Sequence, residues 1–148
     1  MKKKMLLTLS AAALLATATV AAAPAPPLSY LQIRYVGSST QGWEPISDGT
    51  FTTLLDHGGA QMRVVTVEVG YGSSRIARMN GSVLPSSANY QSDPFCSSNF
   101  LTPCQAGQTI VGYTRYWNVD GYSGGTFSYQ NISINYPFNT MSDTLYIL

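Results

Sequence analysis

The sequence predicts an all-β protein that folds as a single-domain antiparallel β-sandwich. Segments with an apolar side chain at every second position recur along residues 24–148, and clusters of Gly, Ser, Asn and Pro separate them. No segment after residue 23 repeats its apolar side chains at the spacing of an amphipathic helix. Some seven or eight strands with frequent turns favour two packed sheets, and a small β-barrel is the alternative architecture.

The first 23 residues form a predicted secretory signal peptide. Three consecutive lysines precede an apolar run over residues 5–20, and the small residues Ala21 and Ala23 supply a cleavage site. The run is too short to span a bilayer comfortably, and no later segment approaches 18 apolar residues. We therefore expect cleavage after Ala23 and one β-rich domain over residues 24–148 that is secreted or periplasmic and has no transmembrane segment.

Cleavage would change the net charge of the protein. All three lysines lie in the first 23 residues, which leaves five arginines against seven acidic residues and a net charge near −2. Nucleic acids and anionic lipid surfaces are bound by clusters of Lys and Arg, and no such cluster remains. The sequence therefore argues against a nucleic-acid partner.

The N-terminal half contains three short segments with strand character, at residues 31–35, 43–46 and 50–55. The clearest alternation follows at residues 62–71. Its valines from Val65 onward and Tyr71 are predicted to form a buried face, whereas Thr66 and Glu68 are predicted to face solvent.

A β-hairpin and a long loop are predicted next. The dipeptide Asn80-Gly81 is the strongest short signal for a type I′ turn, and it joins residues 76–79 to residues 82–84. Residues 85–107 contain prolines, serines, asparagines and both cysteines, and they are predicted to form a long loop tied by a disulfide. Long loops in compact domains are often functional.

Three strands are predicted in the C-terminal part, at residues 111–119, 125–136 and 144–148. In the second of these, the apolar positions change parity between Tyr129 and Ile132. This change predicts a bulge near Gln130 that exchanges the two faces of the strand.

The two cysteines, Cys96 and Cys104, are predicted to form a disulfide, because this is the default state of paired cysteines in an exported protein. A structural zinc site needs four Cys or His ligands, and His57 is the only histidine of the chain. No metal and no other cofactor is therefore predicted.

Catalytic candidates are Asp56 and His57, which precede two glycines. An acid beside a histidine suggests a general base with an orienting carboxylate. Adjacent side chains of a strand point to opposite faces, so the pair can cooperate only within a turn. An ordinary turn that begins at Asp56 explains the same residues without catalysis.

Binding candidates lie in an aromatic segment at residues 113–122. Tyr113, Arg115 and Trp117 share one strand face, and Tyr122 follows in a glycine-rich loop. If exposed, these residues would form a platform for sugars or a contact surface for a protein. If buried, they would be core, with Arg115 stacked on a ring. We expect the strand residues to be core and Tyr122 to be exposed.

Four segments can be compared with a known family: residues 27–31 (PLSYL), 36–44 (VGSSTQGWE), 56–60 (DHGGA) and 125–131 (GTFSYQN). Together they resemble the YolA-type family of small exported bacterial proteins. The resemblance extends over nearly all of residues 24–148 and implies export, small size and a single domain. It implies no activity, cofactor or site residue.

Three classes of function remain open. A non-enzymatic binding or surface-interaction module, with a carbohydrate or a cell-surface protein as its partner, fits a small, aromatic-rich chain with few catalytic groups. A secreted hydrolase that uses Asp56 and His57 is one alternative. A secreted membrane-active β-protein is the other.

Overall fold

The computed structural model describes residues 25–148, and the predicted signal peptide and its cleavage site lie outside the described residues. Nine strands form two antiparallel sheets that pack against each other. The all-β sandwich predicted from the sequence is confirmed, and the two sheets do not close into the alternative barrel.

The strands are β1 (Tyr30–Ser38), β2 (Gly42–Pro45), β3 (Met62–Val69), β4 (Ile76–Met79), β5 (Ser82–Val83), β6 (Asn89–Phe95), β7 (Gly112–Asn118), β8 (Gly125–Ile132) and β9 (Thr140–Ile147). The larger sheet has the order β2-β1-β3-β7-β6, and the smaller sheet has the order β5-β4-β8-β9. One turn of 3₁₀ helix at Ser86–Ala88 precedes β6.

The hydrophobic core lies between the two sheets and is built from alternate positions of their strands. Along β1, Leu31 and Ile33 are buried in this core, and a shift of register at Arg34 then brings Val36 into the next core position. The same shift leaves Tyr35 on the opposite, outward side of the larger sheet.

The prediction that Thr66 and Glu68 face solvent is wrong. Both side chains are buried, with Glu68 only 1% exposed. Val65 and Val67, on the opposite face of β3, are also buried. The predicted solvent face of this strand is therefore the face that packs against the second sheet. Polar side chains of other strands form hydrogen bonds with Thr66 and Glu68 there.

Two predictions of secondary structure are wrong, one of a strand and one of a loop. Residues 50–55 form no strand, and their backbone contacts the edge of β9 through hydrogen bonds from Thr53 N to Tyr146 O (3.0 Å) and from Tyr146 N to Phe51 O (2.9 Å). The predicted loop at residues 85–107 contains β6, a polar strand that includes Pro94. Proline is tolerated there because β6 is an edge strand.

The predicted bulge near Gln130 is absent from β8, which pairs with β9 in continuous register up to Ile132. The inward face continues from Tyr129 to Asn131 and Ser133, both of which are buried, whereas Ile134 is exposed. The parity change in the sequence therefore reflects polar residues at core positions rather than an exchange of faces.

The hairpin at Asn80-Gly81 is confirmed. Both residues have positive φ, at 51° and 81°, as a type I′ turn requires. The turn joins β4 to the two-residue strand β5.

The predicted disulfide between Cys96 and Cys104 is confirmed, with Cα atoms 5.1 Å apart. It closes a loop that lies on the outward side of the larger sheet, where Thr114 Oγ1 donates a hydrogen bond of 2.7 Å to Phe100 O. The ring of Phe100 packs near Tyr35, with ring centres 6.5 Å apart. We call residues 96–104 the disulfide loop.

Replacing Cys96 and Cys104 together by serine is expected to lower the free energy of unfolding while preserving the sheets. The bridge joins residues eight positions apart, and the chain-entropy model assigns about 2.5 kcal/mol to a loop of this size. Denaturant titration measures the loss, and far-ultraviolet circular dichroism should remain that of a β-protein. Loss of the β signal would show that the bridge is needed for the whole fold.

Candidate functional site

The single histidine, His57, lies in a buried polar cluster at one rim of the sandwich. Its side chain is 0% exposed. Its Nε2 atom is 3.0 Å from Glu44 Oε2, and its Nδ1 atom is 3.2 Å from Ser38 Oγ. Its backbone N–H donates to Leu148 O at 2.7 Å, which fixes the segment that carries the ring.

The β1–β2 hairpin positions the two partners of this ring. Val36 pairs with Glu44, and Ser38 pairs with Gly42 at the end of the ladder. Because Val36 is a core residue, its register partner Glu44 and its second neighbour Ser38 lie on the same face of the hairpin. We call Ser38, His57 and Glu44 the rim triad.

Glu44 is held as an ionised acceptor. It accepts hydrogen bonds from Leu54 N at 2.7 Å, from Leu55 N at 3.0 Å and from the His57 ring. Burial alone would raise the pKa of Glu44, but these hydrogen bonds outweigh burial and hold the pKa below its usual value.

The carboxylate fixes the tautomer of the histidine. An ionised carboxylate can only accept, so Nε2 carries the hydrogen that it donates to Glu44. In the neutral ring, Nδ1 is then an acceptor, and the hydroxyl of Ser38 is its donor. The arrangement is a hydroxyl, a base and an orienting carboxylate joined in series.

Asp56, the predicted partner of His57, takes another role. Its Oδ1 atom accepts a hydrogen bond from Gly58 N at 3.1 Å, which is the geometry of an Asp-initiated turn. Among the residues that the structure describes, no hydrogen bond joins Asp56 to the His57 ring. Neither Ser38 nor Glu44 is predicted from the sequence as a partner of His57. Their placement on one face follows from the register of the β1–β2 hairpin, in which Glu44 pairs with Val36, two residues before Ser38.

Arg115 and Trp117 are buried, as expected for core residues. Trp117 is 5% exposed, and its indole N–H donates to Thr66 Oγ1 at 2.9 Å. The guanidinium of Arg115 lies 4.7 Å from the ring centre of Tyr113, which is half-buried. These three side chains lie on the face of β7 that packs against the smaller sheet, so they form no exposed platform, and a role for them in binding stays a prediction.

Glu68 is the centre of a polar network inside this core. Its Oε1 atom forms an ion pair with Arg115, including a bond of 2.7 Å from Arg115 Nε. Its Oε2 atom accepts hydrogen bonds from Tyr129 Oη and Asn131 Nδ2, each at 2.8 Å. We call Glu68, Arg115, Tyr129 and Asn131 the core network, and it joins β3 and β7 of the larger sheet to β8 of the smaller one.

Tyr122 is half-buried and packs against the hydrophobic core, so the expectation that it is exposed is wrong. Its carbonyl accepts a hydrogen bond from Gly59 N at 3.0 Å. This hydrogen bond joins the loop of Tyr122 to the segment after His57, and the ring of Tyr122 packs against the core.

A group of aromatic residues lies on the outward side of the larger sheet, which we call the outer face. Two grooves open there, on either side of the disulfide loop. The first, of about 600 Å³, includes Tyr30, Arg34, Asp48, Ser97 and Phe100. The second, of about 370 Å³, is lined by Tyr35, Trp43, Val65, Leu101 and Tyr116.

Trp43 is the most exposed aromatic ring of these grooves, at 55%. The ring lies against Gly37, its partner in the hairpin, and a Cβ atom at residue 37 would approach the ring to 2.6 Å. Glycine at this position therefore lets the indole lie flat along β1 and form one wall of the second groove.

The described residues contain no group of three or more His, Cys, Asp and Glu side chains that could hold a metal ion. Over residues 25–148, no helix is long and apolar enough to cross a membrane. The disulfide fits an extracellular or periplasmic protein.

A family model described as a domain of unknown function, DUF4879, matches residues 23–147, nearly the whole of the region described above. No curated protein matches the chain.

Proposed function

Because the chain belongs to the DUF4879 family, whose function is unknown, we propose its function from its own surface: it is an exported carbohydrate-binding protein that holds its ligand on the outer face. The observation that carries this proposal is Trp43, an exposed ring that walls an aromatic groove. Large apolar side chains grouped on a surface mark binding sites more often than single ones do.

The chemistry of the two grooves fits a sugar. A pyranose ring presents an apolar C–H face and a rim of hydroxyl groups. The second groove offers three aromatic rings around Val65, which suit the apolar face. The first groove adds the ion pair of Arg34 and Asp48, whose nitrogen and oxygen atoms are 2.9 Å apart and suit the hydroxyl rim.

Charge and location support the same assignment. The region after residue 23 has no lysine, and its net charge near −2 disfavours nucleic acids and anionic lipid surfaces. Export is supported by the disulfide, by the predicted signal peptide and by the resemblance to the YolA-type family.

Replacing Trp43 by alanine is expected to weaken glycan binding about 5- to 30-fold, the effect of losing a contact worth about 1–2 kcal/mol. A glycan array probed with the unmodified protein identifies the bound sugars, and titration calorimetry on the best of them measures the change. The fold should survive, because the ring is 55% exposed.

Phe51→Ala is the matched control, since Phe51 is an exposed aromatic residue that lines neither groove of the outer face. It should leave glycan affinity unchanged. An empty array, or a sugar that binds equally well to the Trp43 variant, would contradict the proposal. Binding only to proteins on a cell surface would replace the sugar by a protein partner.

A further inference from the structure

We propose that the rim triad is a second, catalytic site, in which Ser38 is a nucleophile that hydrolyses small acyl esters. Ser38 Oγ is 3.2 Å from His57 Nδ1, and His57 Nε2 is 3.0 Å from Glu44 Oε2. A nucleophile within reach of a base that is itself oriented by a third group is the structural signature of covalent catalysis.

In the rim triad, the base and its orienting carboxylate are buried and the nucleophile is the most exposed member, as acyl transfer requires. Glu44 and His57 are buried, which keeps water from competing for the two hydrogen bonds that orient the ring. Ser38 is half-buried, in the last position of β1 before the exposed turn at residues 39–41. The hydroxyl is therefore the member of the triad that a substrate can reach.

The surroundings of Ser38 Oγ hold the hydroxyl toward the ring. Gln41 N donates to this oxygen at 3.2 Å, and Thr40 Oγ1 lies 3.2 Å away. An oxygen that accepts from a backbone N–H keeps its own hydrogen free to donate to His57 Nδ1. Compared with familiar serine hydrolases the two ring nitrogens exchange roles, but the sequence of donors and acceptors is the same.

The reaction balances without a cofactor. Ser38 Oγ forms a bond to the carbonyl carbon of the ester while its proton moves to His57 Nδ1. The bond from that carbon to the leaving oxygen breaks, and the alcohol departs with the proton from His57. Water then attacks the acyl group on Ser38, gives a proton to His57, and releases the carboxylic acid as the proton returns to Ser38 Oγ. Glu44 acts as a positioning residue that stabilises the charged ring in each step.

The site favours a short acyl group such as acetyl. None of the three grooves of the protein that we describe, the two on the outer face and a third of about 400 Å³ near Arg75, is lined by Ser38. A small acyl group needs the least space beside the half-buried Ser38. Because Ser38 and Trp43 project on opposite sides of the hairpin, this inference does not depend on glycan binding at the outer face.

The test is labelling of the intact protein with a fluorophosphonate, followed by peptide mass spectrometry, together with hydrolysis of p-nitrophenyl acetate. We expect phosphonylation of Ser38, and hydrolysis that falls at least about 100-fold in Ser38→Ala, because this variant lacks the nucleophile. Ser39→Ala, an exposed serine of the adjoining turn, is the matched control and should keep both activities.

Two further measurements separate catalysis from a structural role of the triad. The wild-type protein in concentrated urea should lose labelling, because an unfolded serine has no oriented base beside it. Ser38→Ala should retain its circular dichroism and its glycan affinity, so that the two proposals fail independently. A wild-type protein that remains unlabelled, that is labelled at another residue, or that hydrolyses the ester no faster than Ser38→Ala would overturn the proposal.

Discussion

Replacing Arg115 by methionine is expected to lower the free energy of unfolding by about 3–5 kcal/mol, the usual consequence of removing one partner of a buried ion pair. Methionine fills a similar volume but has no charge to pair with the carboxylate of Glu68. Glu68 lies between the sheets and is only 1% exposed, so its charge would be buried without a counter-charge. The hydroxyl of Tyr129 and the amide of Asn131 still donate to that carboxylate, but they do not neutralise it.

Chemical denaturation of the variant measures this loss, and Arg75→Met supplies the matched control. Arg75 is exposed, so the control should change stability by less than about 0.5 kcal/mol. Adding Glu68→Gln to Arg115→Met removes the unpaired charge and should restore part of the loss. A cost below about 1 kcal/mol for Arg115→Met would show that the core network contributes little.

Replacing Glu44 by glutamine is expected to destabilise the protein by about 1–3 kcal/mol at neutral pH, because a buried donor without a partner costs that much. The carboxylate accepts from Leu54 N, Leu55 N and the His57 ring. An amide has one oxygen to offer these three donors, and its NH₂ group adds two more donors to the same place.

The effect of Glu44→Gln should depend on pH. The pKa of Glu44 is lowered in the folded protein, so its contribution to stability is present above its unfolded value of 4.5 and is lost as pH falls through the lower folded value. The difference in unfolding free energy between wild type and variant should therefore shrink below about pH 4.5.

Asp48→Asn is the control for the pH series, because the side chain of Asp48 is largely exposed even though it pairs with Arg34. Such surface pairs contribute about 0–1 kcal/mol. A difference for Glu44→Gln that stays constant from pH 7 to pH 3 would show that its carboxylate is not the source of the stability.

The parts of the fold that could be predicted from the sequence are those with a local cause. Alternation along β3 and β7 reflects the period of a strand, and the turn at Asn80-Gly81 reflects the positive φ that both residues tolerate. The disulfide follows from two cysteines in a chain with a predicted export signal. The strand and turn predictions need only neighbouring residues, and the disulfide prediction needs only the number of cysteines.

The parts that could not be predicted depend on partners distant in sequence. The local sequence predicts that Glu68 faces solvent. Its buried position depends on hydrogen bonds from Arg115 and Asn131, which are 47 and 63 positions away. The edge strand β6 carries polar residues because one of its sides has no neighbouring strand, and a polar strand cannot be distinguished from a loop by hydrophobic pattern.

The candidate site shows the same division. The sequence points to His57 because it is the only histidine, and to Asp56 because it is adjacent. The actual partners, Glu44 and Ser38, are 13 and 19 positions away in the sequence. A predicted hairpin register would have placed them on one face, but the segment that returns His57 to that hairpin has no regular structure to reveal its path.

The edge strands of the two sheets oppose aggregation of the folded protein at high concentration. Unpaired strand edges invite another chain to add its own strand, which is a route to fibrils. Here β6 carries Pro94, β2 ends at Pro45, β5 has two residues, and the segment at Phe51 and Thr53 occupies part of the edge of β9. Each border thus resists strand addition, which opposes self-assembly of the folded protein through the edges of its sheets.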